Sequence, residues 1–290
     1  MPNDDTDLIQ LEYTPKAATV HNATEFQEGR GIHHAVIIQP SVYGYDNSAL
    51  IDALRFFKGQ YRGVAVVDPD NVTDDALREL HDVGVRGLRL NFINGATDEE
   101  ILAAVEKIAT VAEKFDWAIE LWGPLQAYVA LHEYIMNSNL RFVADHFAQT
   151  RVGSWTNNTA NTKDPYRTKG FSEMIDLVKN KRLFVKLSGP YRNSKEAPLY
   201  EDMRVVAETI IFNGPEMVVY GSDWPHTGSK EGNEAAGGRL LPQNYLSIND
   251  AAITEVLRDW LGDEKQWYRT MVDNPIRLWG AFEDNLEEIR

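Results

Sequence analysis

The sequence predicts an α/β fold of the TIM-barrel type that is distorted or incomplete at its first strand. Short apolar runs alternate with longer segments of helical periodicity, which is the pattern of β/α units around a parallel sheet. A chain of 290 residues suits one such barrel, because these domains commonly reach about 250 residues or more. We therefore predict a single domain over residues 1–290, with a polar amino-terminal extension over residues 1–12.

Seven apolar segments have the length and composition of strands that are buried in a parallel sheet. They are Ala35–Gln39, Gly63–Val67, Gly87–Asn91, Ala118–Trp122, Arg141–Asp145, Leu183–Leu187 and Met217–Tyr220. Since a complete barrel of this type has eight strands, one strand is missing from the pattern.

Segments with apolar residues at helical spacing lie between and after these strands. They are Asn47–Lys58, Asp74–Val83, Asp98–Phe115, Leu125–Met136, Phe171–Asn180, Glu201–Phe212, Ile253–Leu261 and Glu264–Val272. Two polar stretches, residues 152–170 and 228–241, follow strand ends and predict long loops over the barrel mouth. The alternative is that both are surface insertions without a role at the mouth.

Composition and charge limit the partners and the location of the protein. A formal net charge of −15 disfavours nucleic acid and anionic membrane surfaces, so an anionic small-molecule substrate must be captured by a few local arginines. No apolar run approaches the roughly 18 residues that a membrane span needs. The first residues lack the basic and apolar regions of a secretory signal, which favours a cytoplasmic location. The absence of cysteine excludes disulfides and thiolate nucleophiles.

Polar side chains follow several predicted strands, at the edge where parallel α/β folds carry their chemistry. The most informative run is Met217–His226, in which an apolar strand ends at Asp223. We predict that Asp223 is catalytic. His146 and Arg192 follow the two preceding strands, and each alone is often structural, but the three together predict an active site. Lys186 lies inside an apolar strand, where it could be a buried base or an ion-pair partner, and we predict that it is a structural ion-pair partner.

Six motifs in fixed order resemble those of the amidohydrolase-superfamily branch that includes 2-pyrone-4,6-dicarboxylate lactonase and related lactone hydrolases. The motifs are Gln39–Gly44, Arg86–Arg89, Asp145-His146, Lys186–Arg192, Gly221–His226 and Asn274–Gly280. The resemblance extends from about Tyr13 to Gly280. It implies a distorted TIM barrel that hydrolyses a lactone ester.

The resemblance also implies roles for single residues. Asp223 matches the general base that activates water, and His146 matches a histidine that orients the lactone carbonyl or supports the oxyanion. Arg192 and Arg89 match arginines that bind substrate carboxylates, for which a guanidinium fork is well suited. The remaining substrate-binding candidates are Ser41, Tyr43, Tyr13, Trp122 and His226.

The sequence departs from this branch in lacking the His-x-His pair of its first strand, since none of the residues before Tyr13 is histidine. His146, Asp223 and His226 are then too few for a catalytic zinc site, and we expect no metal or other cofactor. Three explanations account for the missing first strand. The barrel is open between its first and last strands, or another segment of the chain or another subunit of a homo-oligomer fills that gap, or the chain is truncated. Gln149 stands where the dicarboxylate-specific enzyme is expected to have arginine, which indicates a different substrate.

Three functional hypotheses follow. The first is a metal-independent hydrolase that opens a lactone or similar cyclic ester of a carboxylated small molecule, with Asp223 as general base. The second is a metal-dependent decarboxylase-type amidohydrolase, which stoichiometric zinc would favour. The third is a non-catalytic barrel that has lost the histidine pair and binds a ligand or partner, which binding without turnover would favour.

Overall fold

The structure is a computed structural model that describes residues 14–92, 96–155, 164–228, 230–235, 237–238 and 240–283. Its strands are β1 (Thr14–Pro15), β2 (Ala35–Ile38), β3 (Tyr61–Ala65), β4 (Val85–Asn91), β5 (Ala118–Trp122), β6 (Phe142–Ala144), β7 (Leu183–Ser188), β8 (Val218–Gly221) and β9 (Pro242–Gln243). Strands β2 to β8 form one parallel sheet in chain order, and β1 pairs with β9. The seven predicted strands are therefore confirmed, with ends that differ by at most two residues.

The helices are α1 (Val20–Glu28), α2 (Ser48–Phe57), α3 (Asp74–Asp82), α4 (Asp98–Ala112), α5 (Ala127–Asn137), α6 (Phe171–Lys179), α7 (Arg204–Asn213), α8 (Lys230–Ala235), α9 (Asp250–Leu261), α10 (Glu264–Tyr268) and α11 (Asn274–Trp279). A π-helical turn over Arg269–Asp273 joins α10 to α11. None of the helices in the described ranges is long and apolar enough to cross a membrane.

Local sequence signals explain where several helices begin. The Thr97 hydroxyl accepts a hydrogen bond from the Glu100 backbone N–H, and the Glu100 carboxylate accepts one from the Thr97 N–H, which completes the capping box before α4. Three helices were not predicted. Helix α1 has only three apolar residues, Val20, Ala23 and Phe26, and none of them is fully buried, so its apolar stripe is weak. Helix α8 lies inside the predicted loop 228–241, and α11 carries Pro275 in its first turn, where proline is tolerated.

The sheet curls into an incomplete barrel of seven strands, and within the described chain no hydrogen-bonded ladder joins β8 to β2. The expectation of an open barrel is therefore confirmed for these residues. The Leu8–Leu11 segment, which is apolar enough for a strand, and Tyr13 lie outside the described residues.

Helix α11 covers the amino-terminal end of this open barrel. The Asn274 side-chain amide donates hydrogen bonds to the Val218 carbonyl of β8 at 2.7 Å and to the Pro215 carbonyl at 3.2 Å. The indole of Trp279 is buried so close to β4 that a Cβ added to Gly87 would lie 2.7 Å from it. The helix thus satisfies backbone groups at the start of the last strand and fills the barrel interior below the site.

Replacing Asn274 by alanine is expected to lower the free energy of unfolding by about 1–3 kcal/mol, because a buried carbonyl of β8 loses its hydrogen-bond donor. Urea unfolding followed by tryptophan fluorescence measures the change. Asn137→Ala is the matched control, since the Asn137 amide donates only to the exposed Glu133 carbonyl within α5. Equal losses in the two variants would contradict the role of Asn274 at the open edge.

Candidate active site

The carboxyl ends of β6, β7 and β8 bring the predicted catalytic residues to one edge of the sheet. His146 and Asp223 adopt positive φ angles of 47° and 59°, a left-handed backbone that is uncommon outside glycine. Gly189 after β7 is needed for the close approach of the two loops, because a Cβ at that position would lie 2.6 Å from Asp223 Oδ2. The backbone after each strand is therefore bent to turn its polar side chain toward a common point.

The two oxygens of the Asp223 carboxylate have different surroundings. Oδ2 accepts hydrogen bonds from Arg192 Nε at 2.5 Å and from Tyr191 Oη at 2.7 Å. Oδ1 lies 3.9 Å from His146 Nε2, and no hydrogen-bond donor of the described residues reaches it. Burial raises the pKa of Asp223, whereas a charged His146 ring, Arg192 and the hydrogen bond from Tyr191 lower it, and the net shift is downward. Arg192 and Tyr191 still stabilise the ionised carboxylate when the His146 ring is neutral.

His146 is a buried imidazole whose ring nitrogens face different partners. Nδ1 lies 2.9 Å from Ser188 Oγ, whereas Nε2 lies 3.4 Å from Asp145 Oδ2 on the side of Asp223. Burial lowers the pKa of His146, and the nearby carboxylates do not restore it, so the ring is neutral at neutral pH. Nδ1 also lies 3.3 Å from the Ser188 carbonyl oxygen, but its nearer neighbour is the Ser188 hydroxyl, which can donate a hydrogen to it. Because Nε2 faces two carboxylates, we assign the imidazole hydrogen to Nε2. His146 then offers an N–H beside the open oxygen of Asp223.

A buried ion network lies beneath this pair and fixes Asp145. Lys186 Nζ is 2.8 Å from Glu120 Oε2 and 3.2 Å from Asp145 Oδ1, and Arg89 Nη2 is 3.2 Å from Asp145 Oδ2. Two cations thus balance two carboxylates. Burial lowers the pKa of Lys186, but Asp145 and Glu120 outweigh it and raise the pKa, so the ammonium stays charged. The prediction that Lys186 is a structural ion-pair partner is confirmed.

The two arginines that were predicted to bind substrate carboxylates are both held by acids of the protein. Arg89 contacts Asp145 and, through Nε at 3.6 Å, Glu120, and its side chain is only 13% exposed. Arg192 donates to Asp223 and, through Nη2, to the Thr227 side chain and carbonyl, each at 3.3 Å. Arg192 contacts the Asp223 carboxylate and Arg89 lies one layer below it, and their roles in substrate binding stay predictions.

The other predicted binding residues are more dispersed. Ser41 and Tyr43 form a short 3₁₀ turn after β2, with Tyr43 half-exposed, and Trp122 is the partly buried last residue of β5. No contact among the described residues joins these three side chains to Asp223. Tyr13 lies outside the described residues.

His226 lies behind Asp223, and both of its ring nitrogens face protein groups. Nδ1 lies 3.0 Å from Tyr191 Oη, and Nε2 lies 2.9 Å from Asp250 Oδ2 at the start of α9. Tyr191 and Asp250 were not among the predicted site residues. Tyr191 lies in a quoted motif directly before Arg192, which could have indicated it, whereas no sequence signal links Asp250 to the site.

The residues at this edge do not fit a zinc ion. Within the described ranges, no group of three or more histidine and acidic side chains has a metal-binding arrangement. Asp223 Oδ2 is taken by two donors and His146 Nδ1 by Ser188, which leaves His146 Nε2 and Asp223 Oδ1. A catalytic zinc normally takes three protein ligands.

Comparisons with known proteins agree with the resemblance noted from the motifs. The 4-sulfomuconolactone hydrolase of Hydrogenophaga intermedia is 28% identical over 270 residues, which cover 93% of this chain and 82% of that protein. The 2-pyrone-4,6-dicarboxylate hydrolase of Comamonas testosteroni is 25% identical over 282 residues, with coverage of 93% and 83%.

Solved structures show the same fold. A probable 2-pyrone-4,6-dicarboxylic acid hydrolase from Acinetobacter baumannii superimposes with a TM-score of 0.70 at 22% identity, covering 93% of this chain and 92% of that one. The sequence model of the amidohydrolase family matches residues 7–281. Because this match takes in almost the whole chain, the protein belongs to the amidohydrolase family.

Proposed function

We propose that the protein is a hydrolase that opens a lactone or similar cyclic ester of a carboxylated small molecule. The observation that carries the proposal is the distance of 3.9 Å between Asp223 Oδ1 and His146 Nε2, which we assign as an ionised carboxylate and a neutral imidazole N–H. Two relatives whose names describe lactone or pyrone hydrolysis support the substrate class.

The proposed reaction begins with a water molecule that is hydrogen-bonded to Asp223 Oδ1. Its oxygen attacks the lactone carbonyl carbon while its proton passes to Asp223, and the carbonyl π electrons move onto oxygen. The oxyanion accepts a hydrogen bond from His146 Nε2–H. The ring C–O bond then breaks, and the leaving oxygen takes the proton from Asp223, so that one water and one lactone give one hydroxy acid.

Neighbouring residues supply orientation and charge for this reaction. Asp145, held by Arg89 and Lys186, keeps the imidazole hydrogen of His146 on the side of the reactant. Arg192 is proposed to bind a substrate carboxylate beside Asp223, since the guanidinium fork offers several donors in one plane. The proposal involves no metal or other cofactor, because the donor set around Asp223 does not suit one.

The test is hydrolysis of a panel of carboxylated γ- and δ-lactones in water enriched in ¹⁸O, with products analysed by mass spectrometry. We expect at least one lactone to yield a hydroxy acid that carries one ¹⁸O atom in its new carboxylate. Products without the label would indicate isomerisation, and release of carbon dioxide would indicate decarboxylation. Binding of the lactones without any product would support a non-catalytic barrel instead.

A further inference from the structure

The hydroxyl of Tyr191 has one hydrogen to donate and lies nearest to two side-chain acceptors, with the Asp223 backbone carbonyl farther away at 3.4 Å. Its oxygen is 2.7 Å from Asp223 Oδ2 and 3.0 Å from His226 Nδ1. Both distances lie within hydrogen-bond range, and a phenol donates one hydrogen bond. Which acceptor receives the Tyr191 hydrogen depends on whether that acceptor already carries a hydrogen of its own.

The hydrogen of His226 is held on the far side of its ring. Nε2 lies 2.9 Å from Asp250 Oδ2, and both side chains are only 7% exposed. Arg30 Nη2, from the segment just after α1, lies 3.5 Å from the same oxygen, so a cation also faces this carboxylate. An ionised carboxylate only accepts hydrogen bonds, so a His226 ring that carries a single hydrogen holds it on Nε2 and presents a lone pair at Nδ1 to Tyr191.

We propose that Tyr191 is a positioning residue whose single hydrogen is shared between Asp223 and His226, and that this sharing keeps Asp223 a stronger base than full donation from Tyr191 would. A hydrogen bond to a carboxylate stabilises its ionised form and weakens it as a base. His226 draws part of that hydrogen bond away from Asp223. This inference rests on the proposed role of Asp223 as the general base.

Other charged and titratable groups that face Asp223 and His226 also influence the pKa of Asp223. Asp223 faces His146 at the end of β6 and Arg192 after β7, besides Tyr191. His226 faces Asp250, with Arg30 behind it, while the rings of Phe26 and Trp224 complete the surroundings on the α1 side. Tyr191→Phe leaves all of these groups in place, whereas His226→Phe also removes the ring partner of Asp250.

Two substitutions should therefore move the pKa of Asp223 in opposite directions. Tyr191→Phe removes the donor and is expected to raise it by about one pH unit, since one hydrogen bond to the ionised form is lost. His226→Phe removes the competing acceptor, so Tyr191 donates to Asp223 alone and the pKa falls by a fraction of a unit to about one unit.

The pKa of Asp223 can be followed without any substrate by ¹³C NMR titration of its carboxyl carbon, which is identified by its absence in Asp223→Asn. The expected order is His226→Phe below wild type and Tyr191→Phe above it. Tyr220→Phe is the matched control and should leave the titration unchanged, because that phenol faces Thr254 Oγ1 at 3.4 Å rather than Asp223. The acid limb of kcat/KM for a hydrolysed lactone should move in the same order.

A double variant separates shared hydrogen bonding from any other effect of losing His226. In the Tyr191→Phe background, His226→Phe should no longer lower the pKa of Asp223; an equal lowering in both backgrounds would overturn the inference. If His226→Phe does not fold, ¹⁵N shifts of the His226 ring in wild type decide the matter. An unprotonated Nδ1 is expected, and a hydrogen on Nδ1 would contradict sharing.

These outcomes are distinguishable from failure of the proposed function. If the carboxyl titrations follow the expected order but no lactone is hydrolysed, the shared hydrogen stands and the hydrolase proposal falls. If lactones are hydrolysed through Asp223 but the titrations do not separate, the hydrolase proposal stands and the role of Tyr191 falls.

Discussion

Asp223→Asn is expected to lower kcat/KM for lactone hydrolysis by about 10²- to 10⁴-fold, the contribution that a general base typically makes. The amide has nearly the shape of the carboxylate and can still accept the hydrogen bonds from Arg192 and Tyr191. It cannot take a proton from water at neutral pH. The loss should therefore fall on catalysis rather than on folding.

Steady-state rates with the best lactone of the panel measure this loss, and circular dichroism checks that the variant is folded. Asp176→Asn serves as the matched control, because Asp176 lies on α6 and contacts His132 at 2.8 Å, away from the strand ends. We expect the control to keep kcat/KM within about twofold of wild type. Turnover by Asp223→Asn at the wild-type rate would reject Asp223 as the base.

Lys186→Met is expected to destabilise the protein by about 3–5 kcal/mol, because it removes one cation from a buried network and leaves acids uncompensated. Glu120 has no exposed surface and takes its closest ion pair from Lys186, while Asp145 would keep only Arg89 and the neutral ring of His146. Methionine fills a similar volume, so lost packing contributes little to the change.

Urea unfolding of wild type and variant gives this difference in free energy. Lys181→Met is the matched control, since its ion pair with Glu216 is at the surface and should contribute less than about 1 kcal/mol. Adding Glu120→Gln to Lys186→Met should recover part of the loss, because the uncompensated charge disappears. Similar small losses for both lysine variants would show that the network contributes little to stability.

Much of the fold and part of the candidate site follow from sequence patterns for physical reasons. Strands such as β3 and β7 are buried along their whole length, and each has a short apolar run with one basic residue, Arg62 or Lys186, that stands out from the helices. The approach of His146, Arg192 and Asp223 was predictable because the carboxyl ends of neighbouring parallel strands meet at one edge.

The remaining contacts depend on geometry that single-sequence patterns do not carry. The link from Tyr191 to His226 spans 35 residues and that from His226 to Asp250 spans 24, and both need the left-handed backbone of His226. The pairing of Arg89 with Asp145 depends likewise on which side chains of alternate strand positions turn inward. Sequence indicated that these residues lie near the strand ends, but not which partners would hold them.

The order of the main sheet has a consequence for how the protein folds and fluctuates. In the described chain each strand from β2 to β8 is hydrogen-bonded only to its neighbours in sequence. The sheet can therefore assemble by adding one neighbouring strand at a time, and each addition closes a short loop. Pairing β2 with β8 would close a much longer loop at a greater entropic cost. The end strands can open locally while β4 to β7 keep partners on both sides. Local opening at β2 or β8 should therefore leave β4, β5, β6 and β7, which hold the buried ion network, still paired.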